Sequence, residues 1–350
     1  MKAAVYCGKG EVVCRDVPVP EILDGEVLVK IDTCGVCGTD LKKIKDGLVE
    51  PPRIFGHEMA GIIAQMGKNV KGWNLGERVA IYHHIPCGKC YYCSVKAFAQ
   101  CEGYKITGTT AGYAPSGGGF AEYIRVMDWI VEQGMVRLPD HVTYEMASFL
   151  EPLNTCLKCI RNCDIQPGET VLITGQGPIG LLLTQLAVQS GAKVIATDMI
   201  DFRLQKALQY GAFRALKAND STLQAQIKDV TDGRGVDLAI VATANNQVIK
   251  FALESVRCSG RIMLFAQTKM GDTCALDLGQ VCALEKNILG SYSSSVELNP
   301  VVAQLIFTGA VQVADLVTHR FPLEQVNPAI DLALHPSVDS LKIVVQPHLG

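Results

Sequence analysis

Val171-Leu-Ile-Thr-Gly175-Gln-Gly177-Pro-Ile-Gly180-Leu runs from a compact apolar stretch, through three spaced glycines, into a segment of helical length. An apolar run like 171–174 belongs in a strand buried on both faces of a parallel sheet. The glycine spacing G-x-G-x-x-G is weak alone, but here it sits between a strand and a helix, the context it requires. Gly175 permits the tight turn, Gly177 lets a pyrophosphate approach the backbone, and Gly180 lets helix and strand pack closely. The first helical turn, opened by Pro178, offers the N–H groups of Ile179 and Gly180 to phosphate, so the stretch reads as a dinucleotide cradle.

Outward from this turn, strand-like and helix-like segments alternate: strand 193–198, helices 201–210 and 221–230, strand 236–243, helix 246–256, strand 260–266, and a last strand at 287–292. The alternation predicts βαβ units in a doubly wound parallel sheet. Asp198 ends the second strand, eighteen residues after Gly180. A carboxylate there can accept hydrogen bonds from both adenosine ribose hydroxyls and repel the extra phosphate of NADP, which points to NAD; it can also serve as a helix cap. Arg203 can pack on the adenine or lie on a solvated helix face. Upstream the chain is β-rich, with strands at 2–7, 27–32 and 61–65 and glycine turns such as 117–119. After residue 292 the alternation stops, leaving a helix at 299–308 and a final strand at 341–346. We therefore expect an α/β protein in which a nucleotide domain, 152–292, interrupts a β-rich domain made of 1–151 and 293–350.

A chain of 350 residues suits two domains, and 48% hydrophobic with 19% charged residues is a globular composition. A formal net charge of -3 without a basic run argues against nucleic-acid binding. The N-terminus lacks the apolar core of a signal peptide, and no stretch approaches the ~20 apolar residues of a membrane helix. A cytoplasmic protein is expected, with its cysteines reduced or bound to metal.

Fourteen cysteines are many, and four of them cluster as Cys87-x2-Cys90-x2-Cys93-x7-Cys101. Four thiolates so close in sequence can close a tetrahedron round Zn²⁺ with no open position, the character of a structural site. A nucleic-acid zinc ribbon would need two separated C-x2-C pairs in basic surroundings.

A second group of metal-binding residue types is scattered over the first half: Cys37 in CGVCGTD (34–40), His57 and Glu58 in GHEMAG (56–61), and Glu151 in LEPL (150–153). One thiolate, one imidazole and one carboxylate make a plausible open zinc site, although spacing alone leaves His57-Glu58 equally readable as structural and Cys34 as a core thiol. Together with PCGKCYYC (86–93), GGFAEY (118–123) and GQGPIG (175–180), in this order, these motifs resemble the zinc-containing medium-chain dehydrogenase/reductase (alcohol dehydrogenase) family over nearly the whole chain, and most of all its sorbitol (polyol) and threonine dehydrogenase branches. The resemblance implies a GroES-like catalytic domain beside a Rossmann domain, and two zinc ions per chain. It implies a catalytic zinc held by Cys37, His57 and Glu58, with Glu151 at the fourth corner or reaching the metal through water, and a structural zinc in the cysteine lobe. It implies hydride transfer between a secondary alcohol and NAD, Thr39 accepting the proton from the substrate oxygen, and a homodimer or homotetramer.

This chain departs from the family in two places. Lys42 stands where many relatives carry a relay histidine, so either Lys42 contacts phosphate and the relay ends in water, or the relay differs. No arginine lies near 290–294; Tyr292 and its neighbouring serines can donate to a hydroxylated substrate or simply end a polar strand. Cys156, Cys159 and Cys163, at nearly helical spacing, read as buried helix thiols ahead of a third metal site, Glu122 as structural, and His83 and His84 as surface or core histidines ahead of one that faces the substrate. Two rival classes compete with the dehydrogenase: a zinc-free reductase of the superfamily, which would lack these donors, and a non-catalytic binding protein, which should have damaged ones. The substrate loops, near 46–52, 104–117 and 267–275, leave polyols, cyclitols, threonine-like amino alcohols and simple secondary alcohols open.

Overall fold

The computed structural model describes residues 1–83, 85–103, 117–266, 268–269 and 271–349. His84 and most of the 104–117 loop lie outside them. The chain forms two compact units, Thr155–Ser293 and Met1–Asn154 with Ser294–Gly350.

In the first of these, six parallel strands are found among the described residues, in the order Arg214–Lys217, Lys193–Asp198, Thr170–Thr174, Val236–Val241, Val256–Leu264, Asn287–Gly290. Numbered along the chain this is 3-2-1-4-5-6, the order of two mononucleotide-binding halves meeting at a switch beside the first strand. Val171, Leu172 and Ile173 are fully buried, paired with Val194, Ile195 and Ala196 on one side and with Leu238, Ala239 and Ile240 on the other. The unbroken apolar run is what a strand covered on both faces demands. Helix Pro178–Gln189 buries Leu181, Leu182, Leu183, Leu186 and Ala187, each leucine contributing on the order of 2 kcal/mol. Strand Val256–Leu264 starts directly where helix Asn246–Ser255 ends, four residues before the expected 260. Strand Arg214–Lys217, absent from the sequence reading, is a short edge strand with charged ends and no apolar run.

The other unit is β-rich. A ladder of strands runs Val317–Pro322, Lys342–Gln346, Val27–Gly35, Glu58–Met66, Arg78–Ile81, Met135–Arg137, with Tyr123–Val126 also on Val27–Gly35. A smaller sheet joins Glu11–Asp16, Lys2–Gly8 and Arg53–Ile54. Strands Val27–Gly35 and Glu58–Met66 pair antiparallel, and the register slips between Ile31 and Thr33. At that irregularity Gly61 packs so closely that a Cβ on it would lie 2.1 Å from the Lys30 carbonyl oxygen. The slip brings Gly35 opposite Glu58, which sets Cys34, Cys37, His57 and Glu58 at one end of the sheet. Arg125 clamps Glu26 with two bonds of 2.6 and 2.8 Å, tying the same strand to Tyr123–Val126. Glu122 accepts from the Lys2 backbone at 2.7 Å, a structural role. No helix among the described residues is long and apolar enough to cross a membrane.

Candidate metal centres and dinucleotide site

Cys37 lies just past the end of strand Val27–Gly35 and caps helix Gly38–Asp46; its sulfur accepts from the Thr39 backbone N–H at 3.4 Å. His57 and Glu58 come from the start of the neighbouring strand. Ligand atoms of Cys37, His57 and Glu58 lie within 4.8 Å of one another. A second trio, His57, His83 and Glu151, meets the same limit, and all three are buried. Glu151 sits in the first turn of helix Leu150–Cys163. The expected donors Cys37, His57, Glu58 and Glu151 thus gather round one imidazole.

Two residues without a role in the sequence reading organise this centre. Asp40, fully buried on helix Gly38–Asp46, has Oδ1 3.1 Å from His57 Nδ1. A carboxylate only accepts, so Nδ1 carries the proton and Nε2 is left as the ligand atom, the orientation that a metal-binding histidine needs. Burial works against a charged His57, but the Asp40 carboxylate and the Cys37 sulfur outweigh it and hold the imidazole well above its usual range. Lys342, buried at the start of the last strand, pairs with Glu58 Oε2 and donates to the Val36 carbonyl at 3.2 Å. Burial pushes the Glu58 carboxyl up, and the Lys342 ammonium opposes the shift without cancelling it. Lys342 itself is pushed down by burial but raised overall by Glu58. Gly35 makes the room: a Cβ there would lie 2.1 Å from Glu58 Oε2 and 2.7 Å from Lys342 Cε.

Cys34, the other cysteine of the motif, is fully buried between Gly56 and Gly119, whose Cβ positions would fall 2.8 and 2.6 Å from its sulfur. It is a packing thiol, its pKa raised well above the usual range by burial. Cys156, Cys159 and Cys163 are likewise fully buried on helix Leu150–Cys163.

The lobe sulfurs of Cys87, Cys90, Cys93 and Cys101 lie within 4.8 Å of one another. Cys90 and Cys93 are 3.6 Å apart and Cys87 and Cys93 4.0 Å. Zn–S bonds of about 2.3 Å in a tetrahedron put sulfurs roughly 3.8 Å apart, so the cluster fits zinc. Backbone N–H groups of Glu102 and Cys93 pull the Cys90 thiol down to about 6, while burial and the Cys90 thiol push Cys93 up to about 12. Phe98 packs on Cys93 and Cys101.

In the parallel-sheet unit, Gly175 has φ 85°, and a Cβ on it would meet Thr243 Oγ1 at 2.3 Å. A Cβ on Gly180 would fall 1.8 Å from the Gly175 carbonyl oxygen, so helix and turn tolerate only hydrogen there. A Cβ on Gly177 would meet nothing within 4 Å, and Gly177 caps the helix that Pro178 opens. The N–H groups of Ile179 and Gly180, in the first turn, have no helical carbonyl to bond. These are the features of a cradle open to a phosphate. Asp198, buried, accepts from Gln176 N at 2.6 Å and from Ile200 N at 2.9 Å. It therefore braces the glycine turn, and neither bond caps helix Asp201–Gln209, which begins after Ile200. Arg203 is half-buried on that helix. Tyr292 is 48% exposed, and its carbonyl accepts from Lys158 Nζ at 2.9 Å.

Two zinc-type donor clusters in a β-rich unit, joined in one chain to a dinucleotide-binding parallel sheet, define a zinc-binding dehydrogenase. Residues 23–140 match the alcohol dehydrogenase GroES-like domain and residues 178–308 the zinc-binding dehydrogenase domain. The chain is 32% identical to sorbitol dehydrogenase of Bacillus subtilis, covering 99% of this chain and 98% of that one. It is 32% identical to L-threonine 3-dehydrogenase of Symbiobacterium thermophilum, covering 96% and 94%. The solved structure of zinc dependent alcohol dehydrogenase 2 from Streptococcus pneumonia superposes with a TM-score of 0.88 at 28% identity, over 100% of this chain and 99% of that one. The chain belongs to the zinc-containing medium-chain dehydrogenase/reductase family, that of the alcohol dehydrogenases. It is an oxidoreductase of alcohols, with zinc and NAD as cofactors.

Proposed function

We propose that this enzyme oxidises a secondary alcohol carrying further hydroxyl groups, a polyol, cyclitol or sugar alcohol, with NAD in preference to NADP, as a cytoplasmic homo-oligomer. The observation that carries the reading is the gathering of Cys37, His57 and Glu58 with a carboxylate, Glu151, as the further donor on the same imidazole. The curated relative that oxidises sorbitol supports the polyol class. The threonine dehydrogenase, equally identical, supports an amino alcohol as the second reading.

In this reading Cys37, His57 and Glu58 would hold the catalytic zinc, with Glu151 at its fourth corner or reaching it through water, and Cys87, Cys90, Cys93 and Cys101 would hold the structural one. When bound, the catalytic zinc supplies a Lewis acid that makes the substrate hydroxyl acidic, and NAD accepts the hydride. The protein's part is position and field. Asp40 fixes the His57 tautomer, and Lys342 holds the Glu58 carboxylate. Thr39 Oγ1 accepts the substrate's proton; its residue is exposed at the start of helix Gly38–Asp46, from where the proton passes to solvent. Gly177, Ile179 and Gly180 bind the pyrophosphate, and Asp198 receives the ribose hydroxyls.

A panel of polyols, cyclitols, threonine-like amino alcohols and simple secondary alcohols, each with NAD and with NADP, tests the assignment. Turnover confined to amino alcohols replaces the polyol reading, and turnover of none of them removes both. Thr39→Ala should lower kcat about 10²–10⁴-fold, the range of a lost proton-transfer group, while zinc content holds at wild type; unchanged kcat rejects the relay. Asp198→Ala should raise KM for NAD by at least about tenfold, one lost charge-assisted hydrogen bond to the ribose being worth about 1.5–3 kcal/mol, with NADP less affected. Equal loss for both cofactors would mean that Asp198 serves only to brace the turn.

A further inference from the structure

His83 follows strand Arg78–Ile81 and is 3% exposed. That strand pairs antiparallel with Glu58–Met66, through Ala60 with Ala80 and Met59 with Ile81. Continued by two residues, the same register sets His83 opposite His57. The rings stand accordingly, with centroids 4.7 Å apart and planes inclined by 52°. Ligand atoms of His83, His57 and Glu151 lie within 4.8 Å of one another. His57 therefore belongs to two donor sets, one with Cys37 and Glu58 and one with His83 and Glu151.

The two sets cannot both be filled. His57 Nδ1 is committed to Asp40 at 3.1 Å, so one lone pair, on Nε2, serves both, and an imidazole nitrogen binds one ion at a time. Within the first set the third donor is contested, because the Glu58 carboxylate is held by buried Lys342. The second set supplies two nitrogens and a carboxylate, a combination that suits a divalent zinc or cobalt ion as well as the thiolate set does.

We propose that His83 and Glu151 form, with His57, a second seat for the catalytic metal ion, alternative to the seat made with Cys37 and Glu58. His83 is thereby a metal ligand of this enzyme. The ion pivots on His57 Nε2, and while it occupies the second seat the Glu58 carboxylate stays with Lys342. The inference rests on Cys37, His57 and Glu58 being a metal centre.

Cobalt(II), exchanged into the catalytic centre of the intact enzyme with zinc left in the cysteine lobe, is the probe. X-ray absorption on the wild-type protein counts imidazoles. A fraction of ions with two imidazole ligands is expected; a single imidazole in every ion overturns the proposal. His83→Ala and His83→Gln should each release cobalt to a chelator at least about tenfold more readily, and should shift the visible cobalt bands toward those of a site with more thiolate character. Cys37→Ser should lose the sulfur-to-cobalt charge-transfer band yet retain an ion, and adding His83→Ala should then empty the centre. Wild-type cobalt retention and an unchanged spectrum in the two His83 variants would overturn the second seat while leaving the Cys37 centre standing. A wild-type enzyme that holds metal only in the cysteine lobe would overturn the centre itself, and the seat with it.

Discussion

Cys37→Ser combined with His57→Ala should reduce the zinc content from two ions per chain to one and lower turnover by at least about 10³-fold. The size follows from the several kcal/mol that a Lewis acid contributes to the transition state, at tenfold per ~1.4 kcal/mol. Both residues belong to the proposed centre, with ligand atoms within 4.8 Å of one another, so removing them together leaves only carboxylates and His83 there. The cysteine lobe is a separate cluster on a separate segment, and its zinc should stay, keeping the protein folded. Metal analysis, circular dichroism and a kinetic assay on the same preparation make the comparison. A folded double variant with full oxidising activity would show that the chemistry does not pass through this centre.

Lys342→Met should cost about 3–5 kcal/mol of stability, because it strands the Glu58 carboxylate among buried atoms with its counter-charge gone. In a unit of this size that corresponds to a fall in Tm on the order of 10 °C. Both partners are buried, Lys342 at 5% and Glu58 at 2% exposure, so solvent cannot screen the loss as it would for Lys2–Glu324, whose side chains are about half exposed. Lys342→Met with Glu58→Gln should regain most of the stability, since the uncompensated charge is then gone too. If thermal denaturation of Lys342→Met matches that of the wild type, the pair is not desolvated as its burial implies. Cobalt spectra of the single variant should also show Glu58 more often on the metal, because its competitor has been removed.

Much of the fold was legible because it is written in local runs. The apolar stretch 171–174, the three glycines after it and the strand at 193–198 appear in the structure with boundaries within a residue of those expected. The reason is local sterics and burial: a Cβ on Gly180 would collide with the Gly175 carbonyl whatever the rest of the chain did. Two of the elements missed carry no periodic signal. Arg214–Lys217 is four residues long and sits at the sheet edge, and Leu278–Ala283 is a six-residue helix that buries no residue. The cysteine lobe was legible for the same local reason as the glycine turn, since its four donors span a short segment and need no distant partner.

The candidate centre was only half legible. Cys37, His57, Glu58 and Glu151 were singled out from motifs and gather around His57 in the structure, yet what holds them was not legible. Lys342 is 284 residues from Glu58, and no local motif links the two. His83 reads as a surface or core histidine until the register of Arg78–Ile81 on Glu58–Met66 sets it beside His57. Asp40 was present in the CGTD motif without a task. Residue types and short spacings on this chain thus settled the kinds of chemistry available, zinc thiolate and dinucleotide, because backbone turns and chelating clusters are made by neighbours in sequence. Which carboxylate is paired, which imidazole nitrogen is turned from Asp40 and which histidine stands beside it were decided by strand register and burial, because charges and ring atoms from remote segments meet only after the sheet has closed around them.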